Sequence, residues 1–409
     1  MKAIRFNATV ARYAAGLAMG KLSPSFLWSG ASCTSFDEVD QPRLPADDWV
    51  RVRTRYGGIC GSDLGTIYLH SSPYLEPLTS FPYTFGHESL GTIGETGPAA
   101  ADFEPGERVV VEPLLGCTAR GIQPVCRFCE RGLVGLCERT NEGNLAPGLS
   151  IGFCKDTGGS WSDTFVAHQS QIYRVPGGIS DENALMVEPC STAVHAALQN
   201  LPRDDETVLI LGAGTIGLCV LAALRALGSK ADILVVCRYD FQAEAAKKLG
   251  ASAVLSSAKG HDLYAGVAAA TNAKLFTPMV GKSILVGGAD RIFECVGTHS
   301  AIDDALRFVR GGGRVVLVGM PGMAKLDLTS VFVKEAEVRA SFCYSRREEW
   351  AGRNWSTFEL TLDLMKRGLL DLGWMVTHKF ALRDYKKAFE LLRHKGKHSV
   401  IKAAFTFDH

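Results

Sequence analysis

Charge of one sign is what this chain most plainly lacks: 44 Lys and Arg stand against 43 Asp and Glu, a formal net charge of +1 over 409 residues. No long basic or acidic block disturbs that balance, so nothing marks nucleic acid or an anionic membrane as the main partner. A small neutral or mixed-charge ligand is expected instead. An unbroken apolar span is missing as well. Val208 to Leu224 comes nearest, yet glycines 212, 214 and 217 divide it into a strand, a turn and a helix start. Near the N-terminus a short apolar patch is interrupted by Arg12 and followed by no small-residue cleavage site, which argues against a signal peptide. No internal repeat or low-complexity tract stands out.

Cysteine is plentiful, but not in the arrangement of a disulfide framework. Four of the 12 crowd into positions 117 to 137, which in a chain this long suggests metal binding and a reducing, cytoplasmic setting. With 46% hydrophobic residues the chain can bury more than one core usually holds, so two domains are expected. From Val50 to Tyr173, β-rich runs such as VRVRTRY and ERVVVEP alternate with Gly/Pro turns, the pattern of an irregular antiparallel or barrel-like unit. From Val208 onward the apolar runs VLILGAG, ILVVCR, RIFECVG and RVVLVGMPG are separated by helical stretches, which predicts an α/β fold with a parallel, doubly wound sheet. After Phe342 the pattern is helix, strand, helix, strand.

Gly212-Ala213-Gly214-Thr215-Ile216-Gly217 follows a strand-like run and opens a helical one. In that context GxGxxG has a mechanism: the first glycine permits the turn, the second admits pyrophosphate, and the third packs helix on strand. A glycine-rich packing turn is the plain alternative. About twenty residues on, an acid normally meets the ribose hydroxyls of NAD. Here the strand ends Val236-Cys237-Arg238-Tyr239-Asp240, so the acid is missing and Arg238 offers a cation, which favours NADP over NAD. The alternative leaves Arg238 in solvent and gives the ribose to Asp240.

Cys60, His87 and Glu188 lie in the separated turns Gly58-Ile59-Cys60-Gly61-Ser62-Asp63, Gly86-His87-Glu88 and Val187-Glu188-Pro189. Three such ligands and one open position are what a catalytic zinc requires. Taken singly, each residue has a plainer reading: a buried thiol, a hydrogen-bonded core histidine, a helix-start acid. Cys117, Cys126, Cys129 and Cys137, spaced C-x8-C-x2-C-x7-C, could close a tetrahedral structural zinc site. A nucleic-acid zinc ribbon is the competing reading, opposed by the absence of a surrounding basic run.

These motifs, in this order and ahead of the glycine loop, resemble the zinc-dependent medium-chain dehydrogenase family of alcohol, sorbitol, threonine and sugar dehydrogenases. The resemblance covers Val50 to Phe407. It implies a β-rich GroES-like catalytic domain over 1–187, an NAD(P)-binding Rossmann domain over 188–341, and a return segment, 342–409, that completes the first. It implies further that Cys60, His87 and Glu188 are the catalytic zinc ligands, Glu88 a neighbouring or exchanging ligand, and Asp63 a brace. Ser62 would relay the proton; the histidine often found three residues later in the family is replaced by Gly65. Thr192 would pack on nicotinamide, Val296 and Val318 would lie at the ribose and carboxamide turns, and Lys402 would reach the pyrophosphate. In the cysteine lobe the eight-residue spacer after Cys117 departs from the family, whose first pair is closer. The expected activity is hydride transfer between NADP or NAD and an alcohol or carbonyl substrate, with Glu188 favouring polyols, sugars or other secondary alcohols, in a homodimer or homotetramer. A zinc-free quinone or enone reductase, or a non-catalytic nucleotide-binding protein, are the rival readings.

Overall fold

The computed structural model describes residues 1–407, and the chain divides into two compact units, Met1–Glu188 together with the segment from Ser345 onward, and Pro189–Tyr344. The first unit opens with β1 (Lys2–Phe6), α1 (Val10–Leu22) and β2 (Thr34–Glu38). It continues through β3 (Trp49–Ile59), α2 (Gly61–Ile67), β4 (Tyr83–Thr84), β5 (Ser89–Thr96), β6 (Arg108–Val111), the single turn α3 (Arg127–Glu130), β7 (Thr164–His168), β8 (Ile172–Arg174) and α4 (Asp181–Leu185). Strand β3 alternates buried and outward residues along VRVRTRY, as a half-buried strand should. It is the spine of a seven-stranded sheet ordered β19-β20-β3-β5-β6-β8, with β7 also paired to β3; β19 and β20 come from the return segment described below.

The N-terminal segment, whose form the sequence leaves open, is a small antiparallel module. Strands β2, β1 and β4 pair in that order, and Ile4, Phe6, Leu27 and Trp28 bury against Tyr83, Phe85, Trp161, Phe389 and Phe405. The β1–β4 pairing ties this module to the chain just before Gly86-His87-Glu88.

The second unit begins within α5 (Val187–Leu198) and runs β9 (Thr207–Leu211), α6 (Thr215–Ala226), β10 (Asp232–Cys237), α7 (Asp240–Lys248), β11 (Ala253–Ser256) and α8 (Leu263–Ala270). A hairpin, β12 (Lys274–Phe276) and β13 (Ile284–Val286), precedes β14 (Ala289–Glu294), α9 (His299–Phe308), β15 (Val309–Leu317), α10 (Thr329–Lys334) and β16 (Glu337–Ala340). The central strands read as continuous apolar runs because both faces are covered. Their order, β11-β10-β9-β14-β15-β16, is all parallel and reverses direction between β9 and β14. That is the Rossmann arrangement, whose ligands bind at the carboxyl ends of the strands by the reversal point.

The return segment contains the hairpin β17 (Glu348–Trp350) and β18 (Arg353–Trp355), then α11 (Thr357–Lys366), β19 (Val376–Ala381), α12 (Tyr385–Arg393) and β20 (Lys402–Thr406). Helix α11 starts where the sequence signals it, at a capping box in which Ser356 and Glu359 satisfy each other's backbone N–H. Strand β20 pairs antiparallel with the end of β3, setting Ala403 opposite Ile59 and so bringing Lys402 beside the start of α2. Among the described residues no helix is long and apolar enough to cross a membrane.

Candidate active site and metal centres

Cys60 follows β3 directly and caps the N-terminus of α2. His87 and Glu88 follow Gly86, whose φ of +100° favours glycine and whose Cβ would overlap Ser160 and Trp161. A side chain at Gly58 would likewise fall on the Glu88 carboxylate. With those spaces open the turn is pinned: Glu88 O accepts from Gly58 N and from Ser160 Oγ, both at 2.9 Å, and Trp161 Nε1 donates to Gly58 O at 2.9 Å. Donor atoms of Cys60, His87 and Glu88 thereby lie within 4.8 Å of one another.

Asp63 is fully buried, hydrogen-bonds one of these groups and stands against a second. Its Oδ2 accepts from Cys60 N at 3.1 Å, and its Oδ1 stands 3.3 Å from His87 Nδ1, without hydrogen-bond alignment. Nε2 is therefore the ring nitrogen left for a metal. Burial opposes charge on His87, but the Asp63 carboxylate and Cys60 together outweigh it and hold the imidazole pKa well above its ordinary value. A thiol, an imidazole and a carboxylate suit zinc, so the residues present fit the metal.

Glu88, expected beside the metal, supplies the carboxylate of the three-residue cluster. Glu188 is buried and near enough to act electrostatically on Lys402. Lys402, expected at the pyrophosphate, points inward: its Nζ pairs with Glu88 Oε2 and donates to Ile59 O at 3.2 Å, with both charged side chains almost fully buried. Burial opposes the ammonium, but Glu88, then Cys60 and Glu188, keep its pKa raised. The reason is the β3–β20 register, which turns Lys402 toward the cluster.

Ser62 is half-buried in the first turn of α2, and its carbonyl accepts from Thr66 Oγ1 at 3.1 Å. Gly65 lies one turn further along, and the neighbouring His70 is exposed.

Cys117 joins Cys126, Cys129 and Cys137 despite the long spacer. Its Sγ is 3.6 Å from that of Cys137, against the roughly 3.8 Å between sulfurs that zinc–thiolate bonds of about 2.3 Å at tetrahedral angles require. Backbone N–H groups of Cys126 and Arg139 point at the sulfurs of Cys117 and Cys137, at 3.3 and 3.4 Å. The Cys129 thiol, opposed by burial and helped by the Arg139 N–H, pushes the Cys137 thiol down to about 5. A residue that pattern reading passed over holds the lobe: Arg120, fully buried, donates to the carbonyls of Leu115, Glu142, Leu145, Ala146 and Gly148 at 2.6–3.2 Å. Five guanidinium donors meet five carbonyls. An arginine in a cysteine-rich loop carries no sequence signal of this role, because its partners are backbone atoms.

In the second unit Gly212 has φ +97°, Gly214 caps α6 with open space around it, and a Cβ at Gly217 would overlap Gly212 O. Those are the three separate duties of the glycines in a phosphate loop, at a helix start bearing Thr215 and Ile216. Val296 lies against Gly212, and the turn at Val318-Gly319 abuts Val296-Gly297, so both expected turns stand at the same edge of the sheet. Thr192 lies one turn along α5 from Glu188. Burial pushes the Cys237 thiol up to about 12, so no negative charge occupies the end of β10. Arg238 beside it is exposed, with its guanidinium 5.8 Å from the Tyr239 ring centre.

The comparisons with known proteins meet this geometry. Residues 46–177 match the alcohol dehydrogenase GroES-like domain and residues 215–359 the zinc-binding dehydrogenase domain. The chain belongs to the zinc-dependent medium-chain dehydrogenase family. It is therefore an oxidoreductase of the class that acts on CH–OH groups. It is 29% identical to L-idonate 5-dehydrogenase of Vitis vinifera, over 87% of each chain. To the sorbitol dehydrogenase of Bacillus subtilis it is 27% identical, over 84% of this chain and 86% of the relative. A solved Escherichia coli oxidoreductase of unknown specificity superposes with a TM-score of 0.74 at 26% identity, covering 92% of this chain and 96% of that one.

Proposed function

We propose that the protein is a zinc-dependent dehydrogenase that transfers hydride between a secondary alcohol, polyol or sugar hydroxyl and NADP in preference to NAD. The observation that carries this reading is the convergence of Cys60, His87 and Glu88 in one cluster braced by Asp63 and Lys402. The polyol and sugar-acid relatives support the substrate class. When bound, zinc supplies a Lewis acid that makes a substrate hydroxyl acidic near neutral pH, and the nicotinamide supplies the hydride acceptor. Cys60, His87 and Glu88 would hold the metal, and Cys117, Cys126, Cys129 and Cys137 a second, structural one. Asp63 fixes the imidazole's orientation. Lys402 neutralises Glu88 through Oε2, and Ser62 accepts the proton that the substrate hydroxyl loses.

A panel of secondary alcohols, polyols and aldoses, assayed with both cofactors before and after chelation, tests the reading. Turnover on a vicinal diol or polyol, lost on chelation and regained with zinc, is expected; metal-independent enone reduction would overturn it. Metal analysis adds detail. Two zinc equivalents per chain are expected, with Cys60→Ser or His87→Ala losing one together with at least about 10³-fold in turnover. Cys129→Ser should lose the other and should lower stability first.

The cofactor preference rests on Cys237 and Arg238. A neutral thiol leaves the 2′-phosphate unopposed, and the guanidinium is free to pair with it. Arg238→Ala is expected to lower kcat/KM for NADP by about 10- to 100-fold, equivalent to one charge-assisted contact of about 1.5–3 kcal/mol, while leaving NAD nearly unchanged. Equal losses with both cofactors would contradict the assignment.

A further inference from the structure

We propose that Glu294 is a positioning residue for the cofactor: it fixes the two turns on which the nicotinamide half rests, without itself touching the ligand. This rests on the reading of the second unit as an NAD(P) site and adds the residue that shapes one side of it.

Glu294 is the last residue of β14 and is fully buried. Four backbone N–H groups converge on it. Its carboxylate Oε1 accepts from Val296 N at 2.8 Å and from Gly297 N at 3.0 Å, and Oε2 accepts from Gly297 N at 3.1 Å. Its carbonyl oxygen accepts from Val318 N at 2.9 Å and from Gly319 N at 2.8 Å. One residue therefore ties the turn after β14 to the turn after β15. The turns also fit closely: a Cβ at Gly319 would fall on the backbone of Val296 and Gly297, and one at Gly212 would fall on the Val296 side chain. A shift of Val296-Gly297 would be felt at both neighbours.

A carboxylate is a costly choice for this place. Burial pushes its pKa up, the N–H groups of Val296 and Gly297 offset that only in part, and no Lys, Arg or His among the described residues pairs with it. An apolar side chain would end the strand with less desolvation, but it would leave both N–H groups without their acceptor and the turn free to open.

The sheet decides which half of the cofactor is affected. Strand order reverses between β9 and β14, and a dinucleotide lies across that reversal with its pyrophosphate at the glycine loop after β9. The end of β10, where Cys237 and Arg238 stand, takes the adenosine ribose on one side. The ends of β14 and β15 are left for the nicotinamide half on the other, and the side chains exposed there are those of Val296 and Met320.

Calorimetric titration tests this, using whichever of NADP and NAD binds the wild-type protein more tightly and the matching adenosine half alone, adenosine 2′,5′-bisphosphate or AMP. Glu294→Leu is expected to weaken the whole cofactor by about 10- to 100-fold, while leaving the adenosine fragment nearly unchanged. In the zinc-loaded enzyme KM for the cofactor should rise in step, with kcat at saturating cofactor close to wild type. Glu294→Gln keeps Oε1 for both N–H groups and gives up only the longest contact, so it should recover most of the affinity. If the Leu variant does not fold, Glu294→Asp, which keeps the charge but draws the carboxylate back from the turn, is read in the same way. An equal loss for cofactor and fragment would mean general damage to the unit, and an unchanged cofactor affinity would mean that the turns hold without Glu294; either result overturns the proposal while the cofactor site stands. If the wild-type protein binds neither NADP nor NAD, the cofactor reading itself fails, and the proposal with it.

Discussion

Lys402→Met is expected to destabilise the metal-free protein by about 3–5 kcal/mol, because it leaves a buried carboxylate with no counter-charge. Glu88 and Lys402 are 1% and 2% exposed, and they pair directly. Such a pair need not stabilise the fold relative to an apolar one, but removing one member strands the other. Glu88→Gln with Lys402→Met should therefore cost clearly less than the sum of the single changes, and the shortfall is the coupling energy. Zinc sharpens the test. If the other oxygen of Glu88 faces the metal, a dication replaces the missing ammonium, and the Lys402→Met penalty should shrink in zinc-loaded protein. Urea unfolding of the three variants, with and without zinc, measures both quantities. Additive costs, or a penalty that zinc does not reduce, would contradict the arrangement.

Arg120→Met should be as damaging, for a different reason. Five carbonyls lose their guanidinium donor at once, Ala146 O keeping the Cys154 thiol, and each unsatisfied buried polar group costs about 1–3 kcal/mol. Some will find water as the lobe loosens, so a loss of at least about 3 kcal/mol is expected rather than the full sum. Since Leu115, Glu142, Leu145, Ala146 and Gly148 flank the four cysteines on both sides, the lobe should open and its zinc should leave, taking metal content from two equivalents to one. Arg120→Lys should rescue little. Its ammonium has three donors and no planar fork, so it cannot meet five carbonyls spread around a guanidinium. Retention of both zincs in Arg120→Met would remove the residue from this role.

Much of the fold was legible because its signals are local. The glycine loop needs only a strand before it and a helix after it, and the alternation of apolar runs with helical stretches announces a parallel sheet whose strands are covered on both faces. The helix-strand-helix-strand ending is equally local: the capping box at Ser356 and the amphipathic run YKKAFELLR declare their elements without reference to the rest. The N-terminal module was not legible in the same way. Its strands pair with residues near positions 83 and 84, and helix α1 is apolar on its exposed side as well, with Val10 and Leu22 at 90% and 79% exposure, so periodicity gave no direction.

The active site divides along the same line. Cys60 and His87 could be picked out by motif, whereas the choice between Glu88 and Glu188 depends on which carboxylate the folded turns bring within reach. Glu88 adjoins His87 in sequence, and neighbours in extended chain ordinarily face opposite ways; the open spaces at Gly58 and Gly86 let this pair share one cluster. Lys402 was assigned by its resemblance to a cofactor-facing basic residue. Its actual direction follows from a strand register 343 residues distant from its partner Ile59, which no local pattern records.

Anomalous scattering at the zinc edge from crystals of the zinc-loaded protein tests the central claim most directly. Two peaks per chain are predicted, one at bonding distance from Cys60 Sγ, His87 Nε2 and a Glu88 oxygen, and one among the sulfurs of Cys117, Cys126, Cys129 and Cys137. No peak at Cys60, or a peak there bound by Glu188 with Glu88 left on Lys402 alone, would contradict it.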